Sequence, residues 1–242
     1  MDRPMELNIW RAPTDNDRKL KLEWMRAHYD QSYARAYENS WFMEDGDIHI
    51  TGTASISAPT VQRILDVREE WIISPDGTIR MRLDAKRDLE FPMLPRFGIR
   101  LFLHQDFSNV EYYGIGPDES YVDKMQSGSH GVFKRKVREM HEDYLRPQEN
   151  GSHADCDYLL LEGAERTFAA IGEKPFSINV SPYTQEELTG KMHNYELQPC
   201  GSTVVCLDYA QNGIGSNSCG PQLAEKYRLD GETFTFSIVM KM

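Results

Sequence analysis

No two cysteines in the sequence are spaced as a CxxC pair. The four present, Cys156, Cys200, Cys206 and Cys219, are too sparse for a disulfide scaffold. Reduced thiols are expected, with Cys200 and Cys206 near enough in sequence to be neighbours in space. Long apolar runs are missing too. Nothing approaches the roughly 18 residues of a membrane span, and Met1-Asp2-Arg3-Pro4 leads into no signal-peptide core. A chain that stays in solution in the cytoplasm is expected. Positive charge is scarce: 27 Lys and Arg stand against 38 Asp and Glu, a formal net charge of -11. That balance repels a phosphate backbone and argues against nucleic acid and anionic membrane as partners, so a neutral ligand fits better. Internal repeats, low-complexity tracts and a clear domain boundary are all lacking. The 242 residues, 40% of them hydrophobic, therefore read as one domain with a real core.

What the chain does have is alternation of period two. From Asp47, Ile48, Ile50, Gly52, Ala54 and Ile56 alternate with His49, Thr51, Thr53, Ser55 and Ser57, which predicts a strand with one buried face. Stretches 69–73 and 78–85 flank Ser74-Pro75-Asp76-Gly77 and predict a hairpin. Shorter strands are predicted at 97–103, 110–113, 158–161, 168–171, 176–180, 203–209 and 234–240, separated by Gly, Pro or polar turns. Many antiparallel strands point to an all-β sandwich. Two helices interrupt them. One is predicted over 18–29, where Leu20, Trp24 and Ala27 share a face. The other starts at Thr184, whose hydroxyl pairs with Glu187 as a capping box, and closes at Gly190. Trp10, Trp24, Trp41 and Trp71 are read as core residues rather than sugar platforms.

The segment around which the rest is arranged is a late turn, Asn212-Gly213-Ile214-Gly215-Ser216-Asn217-Ser218-Cys219-Gly220-Pro221. Its glycines, asparagines and proline suit neither a helix nor a central strand, so it is a shaped loop presented by the strand before it. Asp15 and Asp17 read as a helix-capping turn, or as a carboxylate pair or cation site. Glu149 and Asn150, between Pro147 and Gly151, read by composition as a surface turn. His141, His153, Asp155, Cys156 and Asp157 match no common zinc spacing and read as solvated polar loops. No metal or cofactor is required. Lys134-Arg135-Lys136 with Arg138 reads as a solvated basic face.

Four segments taken together carry a resemblance. They are Trp10-Arg11-Ala12-Pro13-Thr14-Asp15-Asn16-Asp17, Tyr113-Gly114-Ile115-Gly116-Pro117-Asp118-Glu119-Ser120-Tyr121, Pro147-Gln148-Glu149-Asn150-Gly151 and the late turn from Gly213 to Pro221. In this order, over nearly the whole chain, they resemble the C-terminal domain, or small chain, of glycoside hydrolase family 2 β-galactosidases. The resemblance implies a large antiparallel super-sandwich like that of galactose mutarotase. It also implies that one or more upstream strands of the family domain are missing, which would expose an edge.

In that family the two catalytic glutamates lie on a central TIM barrel, and no alternating strand and helix segments of a barrel are present here. A retaining glycosidase needs two carboxyls roughly 5 Å apart, so this chain alone is expected to be inactive. Its implied partners are the catalytic barrel domain and a galactoside, and a homo-oligomer of the full enzyme stays open. The implied role is to close one side of the galactoside pocket, using Arg11, Asp15, Asn16, Glu149, Asn150, Asn217, Ser218 and Cys219. Some family members carry a Trp in the late loop that reaches the sugar. Here Cys219 matches that part of the pattern and cannot stack on a pyranose, which leaves Asn217, Ser218 and backbone groups as hydroxyl partners. Two other classes are a stand-alone carbohydrate-binding module and a mutarotase-like epimerase with His141 and Glu149 as acid and base.

Overall fold

The alternating stretches become strands in the computed structural model, which describes residues 1–60, 62–215 and 218–242. In chain order the elements are β1 (Arg3–Asn8), helix α1 (Leu20–Arg26), β2 (Tyr33–Glu44), β3 (Asp47–Ser57), β4 (Arg63–Ile73), β5 (Ile79–Arg87), β6 (Arg96–His104) and β7 (Asn109–Gly116). There follow β8 (Ser129–Lys136), β9 (Ser152–Glu162), β10 (Thr167–Ser181), helix α2 (Gln185–Gly190), β11 (Ser202–Gln211) and β12 (Thr233–Lys241).

All pairings among these strands are antiparallel, in the order β1-β6-β11-β10-β12-β5-β4-β3-β2, with β9 also on β10 and with β7 and β8 beyond β9. The branch at β10 makes a sandwich out of one sheet. Along one edge β10 meets β9 for most of its length. Along the other it meets β12 over Ala169–Gly172 and then β11 over Ser177–Ser181. The change of partner falls where the register with β9 slips, between Ile171 and Phe176. That stretch holds Gly172 and Pro175, residues that suit a break in a ladder because one lacks a side chain and the other lacks an N–H. The two leaves fold toward each other, and their inward residues, Leu83, Ile99, Leu103, Leu159, Ile178, Val205 and Ile238 among them, form one cluster almost free of water.

Helix α1 is shorter than the predicted span and is flanked by single turns of 3-10 helix at Asp15–Arg18 and Tyr29–Gln31. It buries Leu20 and Trp24. The Trp24 indole donates to the Met93 carbonyl at 2.9 Å, and its ring meets that of Trp10 edge-on at 6.4 Å. At α2 the Thr184 hydroxyl accepts from the Glu187 N–H at 3.1 Å, but the Glu187 carboxylate turns away to the Gln198 N–H at 2.9 Å, so only half of the predicted box forms.

Other readings are corrected. The two short strands predicted at 168–171 and 176–180 are one strand, β10. His153 and Cys156 do not lie in solvated loops but are buried on β9. His153 sits between the Tyr112 hydroxyl at 2.9 Å and the Ile115 carbonyl at 3.0 Å, and burial pulls its imidazole down to about 4, so it is neutral at pH 7. Trp10 and Trp24 are core and Trp71 is half-buried, whereas Trp41 is 69% exposed. No helix among the described residues is long and apolar enough to cross a membrane.

Leu159, on β9 with no exposed surface, touches the middle of this cluster. Leu159→Ala removes buried methyl groups and leaves a cavity, so it is expected to lower unfolding free energy by about 2–5 kcal/mol in a urea titration.

Candidate functional site

The four loop segments singled out in the sequence converge at one end of the sandwich. Two buried guanidinium groups lie among them, and Glu119 ties in the segment 113–121. Arg11, which follows β1, has no exposed side-chain surface. Its Nη2 lies 2.7 Å from Asp17 Oδ1 and 3.2 Å from the Gly213 carbonyl, and its Nη1 donates to the Asn212 carbonyl. The guanidinium also lies 5.3 Å from the centre of the Trp24 ring. Asp17 uses its other oxygen to accept from the Thr14 N–H at 2.9 Å and the Thr14 hydroxyl at 3.1 Å. Asp17 thus closes the turn as its capping reading has it, and it pairs with Arg11 rather than with Asp15. Asp15 is exposed, and its N–H meets Gln148 Oε1 at 2.8 Å.

The second group is Arg96, at the start of β6. Its Nε lies 3.1 Å from Asp208 Oδ1 while Nη2 holds Oδ2, a fork on a carboxylate. Nη1 reaches Glu149 Oε1 at 3.0 Å. Gly98 faces Asp208 across the β6–β11 ladder, and a Cβ there would sit 2.6 Å from the Asp208 Cα and 2.1 Å from the Leu207 carbonyl oxygen. The missing side chain lets the two strands run close beside the ion pair. Ser152 and Gln211 complete the network: the Ser152 hydroxyl donates to Glu149 at 3.3 Å, and Gln211 Nε2 donates to Ser152 at 3.0 Å and to Asp208 at 3.3 Å. Burial pushes the carboxyls of Glu149 and Asp208 up from their ordinary values, against the pull of Arg96 on both.

The turn at 147–151 is not a surface turn. Glu149 is 2% exposed and Asn150 is 6% exposed. The Glu149 N–H donates to the Ala12 carbonyl at 3.0 Å, and Asn150 accepts from the Glu142 N–H at 2.9 Å through its side chain. Gly151, at φ +67°, donates its N–H to Glu119 at 2.9 Å, and a Cβ there would strike the Met140 carbonyl oxygen at 1.9 Å. Glu119 also accepts from Lys124 at 2.6 Å and from the Tyr144 hydroxyl. Burial pushes this carboxyl up, but the hydrogen bonds from Lys124, Tyr144 and the Gly151 backbone outweigh it and hold the group below its usual range.

The start of the late turn is gripped from two sides. Asp123 accepts from the N–H groups of Ile214 at 2.9 Å and Gly215 at 2.7 Å. Asn16 donates to the Ile214 carbonyl at 2.8 Å and accepts from the Ser218 hydroxyl at 3.1 Å. Cys219 is exposed beside Ser218, with its sulfur 3.5 Å from that hydroxyl. Asn217 lies outside the described residues. The structure thus brings Asn16 and Ser218 together directly, sets Arg11 on the start of the same turn, and joins the 11–17 segment to the turn at 147–151 through Asp15 to Gln148 and Glu149 to Ala12. His141 and Glu149 are turned to different partners, the former to Asn194 Oδ1 at 3.1 Å and the latter to Arg96. Among the described residues no group of three or more His, Cys, Asp or Glu is placed to hold a metal ion.

A family profile described as Beta galactosidase small chain matches residues 1–240. The chain belongs to the β-galactosidase small-chain family. It is 45% identical over 229 residues to a β-galactosidase from Actinobacillus pleuropneumoniae, covering 95% of this chain and 22% of that protein. It is 35% identical over 234 residues to a β-galactosidase from Staphylococcus xylosus, covering 97% of this chain and 24% of that one. It thus spans less than a quarter of the length of either relative. A GalM/aldose epimerase homologue from C. elegans superposes at a TM-score of 0.40 and 5% identity, over 86% of this chain and 68% of the other.

Sequence reading missed Arg96, Glu119, Asp123 and Asp208 as parts of this site. The available signal was a charged residue inside the apolar run 203–209, at Asp208, and another charged residue between Pro95 and Phe97.

Two outcomes follow from this geometry. Arg96→Met strands two buried carboxylates and is expected to lower stability by about 3–5 kcal/mol in chemical denaturation. Glu119 is held ionised in the fold, so its contribution is present above its ordinary value of 4.5 and is lost as pH falls through the lower folded value. Glu119→Gln should make the stability loss below pH 4.5 smaller by the share that Glu119 contributes, read from urea midpoints taken between neutral and acid pH.

Proposed function

We propose that this chain supplies one wall of the galactoside pocket in a β-galactosidase whose hydrolytic carboxylates lie in another part of the enzyme. Membership of the small-chain family supports the reading, as does the state of the carboxylates at the loop cluster. Glu149, Asp208 and Asp17 are each committed to a buried guanidinium, so none stands free to act as nucleophile or acid toward a sugar. The observation that carries the reading is the grip on the late turn. Asp123 and Asn16 fix the backbone of Ile214 and Gly215 and the Ser218 hydroxyl from opposite sides. Backbone groups at Ile214 and Gly215 and a hydroxyl at Ser218 held this way keep one arrangement, which is what recognition of sugar hydroxyls needs. Asn16 and Ser218 are half-buried, and Asp15 and Cys219 are exposed at the same edge.

Turnover of a chromogenic β-galactoside tests this. The chain alone is expected to be inactive. Mixed with the A. pleuropneumoniae enzyme deleted for the region this chain matches, it should restore hydrolysis. Asn16→Ala, which releases the turn on one side, should then lower kcat/KM by roughly tenfold, the effect of losing about 1.4 kcal/mol. Turnover by the chain alone at the rate of the restored enzyme would overturn the proposal. Calorimetric binding of galactose by the chain alone, with no restoration, would favour the stand-alone binding module instead.

A further inference from the structure

The inward face of the sandwich does not end where its cover ends. Directly paired residues share a face of a sheet, so they can be followed across it strand by strand. One such row runs Ala170, Met240, Ile79, Ile73, Ile48, Met43 from β10 out to β2. Its neighbour runs Ile238, Met81, Trp71, Ile50, Trp41. At the β10 and β12 end both rows are core, with Ala170 at 0%, Ile238 at 1% and Met240 at 6% exposure. Through β4 and β3 they are half-buried, and at β2 they lie open, with Met43 at 64% and Trp41 at 69%. The residue types do not change along the way. A solvent-facing end would be expected to turn polar, as the opposite face does at Ser40, Thr51, Glu70 and Arg82.

Two more features sit beside this surface. Among the described residues β2 pairs with β3 alone, so its far edge offers unpaired backbone donors and acceptors. The rim is acidic: Glu38, Glu44, Asp45 and Asp47 lie in the span between Arg35 and Arg63, which contains no Lys or Arg.

We propose that the open end of these rows, centred on Trp41 and Met43, is the seat of the remainder of a β-galactosidase, taking from it an extended apolar segment flanked by Lys or Arg that adds to the edge of β2. This rests on the functional reading above. The occupant is chosen on three grounds. The face continues the core, so its cover must be a permanent packing partner. The chain spans 22% of the A. pleuropneumoniae enzyme, which leaves most of that relative's length to supply a cover. The acidic rim fits a basic partner, and a second copy would set the same carboxylates against each other across a two-fold axis, on a chain of net charge -11. Strand addition gives the affinity through backbone bonds, and Trp41 and Met43 give the anchor.

The test uses the whole chain and, as probe, the A. pleuropneumoniae enzyme deleted for its matched region. Binding is measured by biolayer interferometry beside restored turnover. The double variant Trp41→Glu/Met43→Glu should bind at least about tenfold more weakly. Phe42→Glu, on the opposite face of the same strand and paired with His49, should stay within about twofold of the unaltered chain. Both variants change exposed residues, and an unaltered thermal transition shows that they fold. If the unaltered chain binds and restores turnover and the double variant does so equally well, the seat is overturned and the functional reading stands. If the unaltered chain neither binds nor restores turnover, both are overturned. Sedimentation showing a dimer of the chain alone that the double variant dissolves would assign the surface to a second copy and overturn the proposal.

Discussion

A guanidinium group without water must find its hydrogen-bond partners inside the protein, and at Arg96 they come from separate parts of the chain. Asp208 holds it from β11 and Glu149 from the turn before β9, with no exposed side-chain surface on Arg96 or Asp208. Removing charges from water is costly unless each is paired and its remaining atoms are bonded. The surrounding polar residues, Ser152, Gln211 and Asn179, are placed to do that. Arg11 repeats the arrangement one loop away with Asp17 and two carbonyls of the late turn. The consequence is specificity of geometry more than strength. Loops that carry no regular structure are forced into one mutual position, because any other would leave a buried charge unanswered.

The sandwich supplies the frame in which this can happen. Because β10 changes partner from β12 to β11, the β11 and β6 leaf is set so that Asp208 and Arg96 come together at one end. The other leaf carries the long hairpin of β2 and β3, whose inward face goes on being apolar out to exposed Trp41 and Met43. One end of the molecule thus buries its charges in pairs, while the other exposes core-type side chains at Trp41 and Met43. For a family member spanning less than a quarter of its curated relatives, that asymmetry is physically consistent.

Much of the sheet was legible because one-sided burial writes an alternation into the sequence. Strand β5 shows it plainly, with Met81, Leu83 and Ala85 buried between exposed Arg80, Arg82 and Lys86. Strand β2 was illegible for the same reason in reverse: every residue of it is exposed, so nothing imposes a period. Trp41 was read as core from its residue type, yet it lies where a core-type row runs out of cover. At the site, the late turn and the segments around Arg11 and Glu149 were legible as motifs, and Asp17 as a cap. Their pairing was not. Asp208 answers a residue 112 positions earlier, and a lone charge in a strand looks the same from the sequence whether it faces water or a buried cation. The readings of Glu149, Asn150, His153 and Cys156 as solvated failed because polar residues were taken to face outward, when Glu149 and His153 face inward to buried partners, whereas Asp155 is exposed as that reading has it.

The Arg11 contacts join positions about two hundred residues apart, with the Gly213 carbonyl 202 places along the chain. Pairings of that span close the longest loops in the molecule and come late in folding, after local hairpins have formed. On a ribosome, which delivers the amino terminus first, Arg11 and Asp17 wait as an isolated couple until β11 and the turn after it have emerged. This end of the protein therefore takes its shape only once β11 and the turn after it are present. A polypeptide released before residue 212 would lack both the carbonyls that Arg11 holds and β12, the strand that joins β10 to β5.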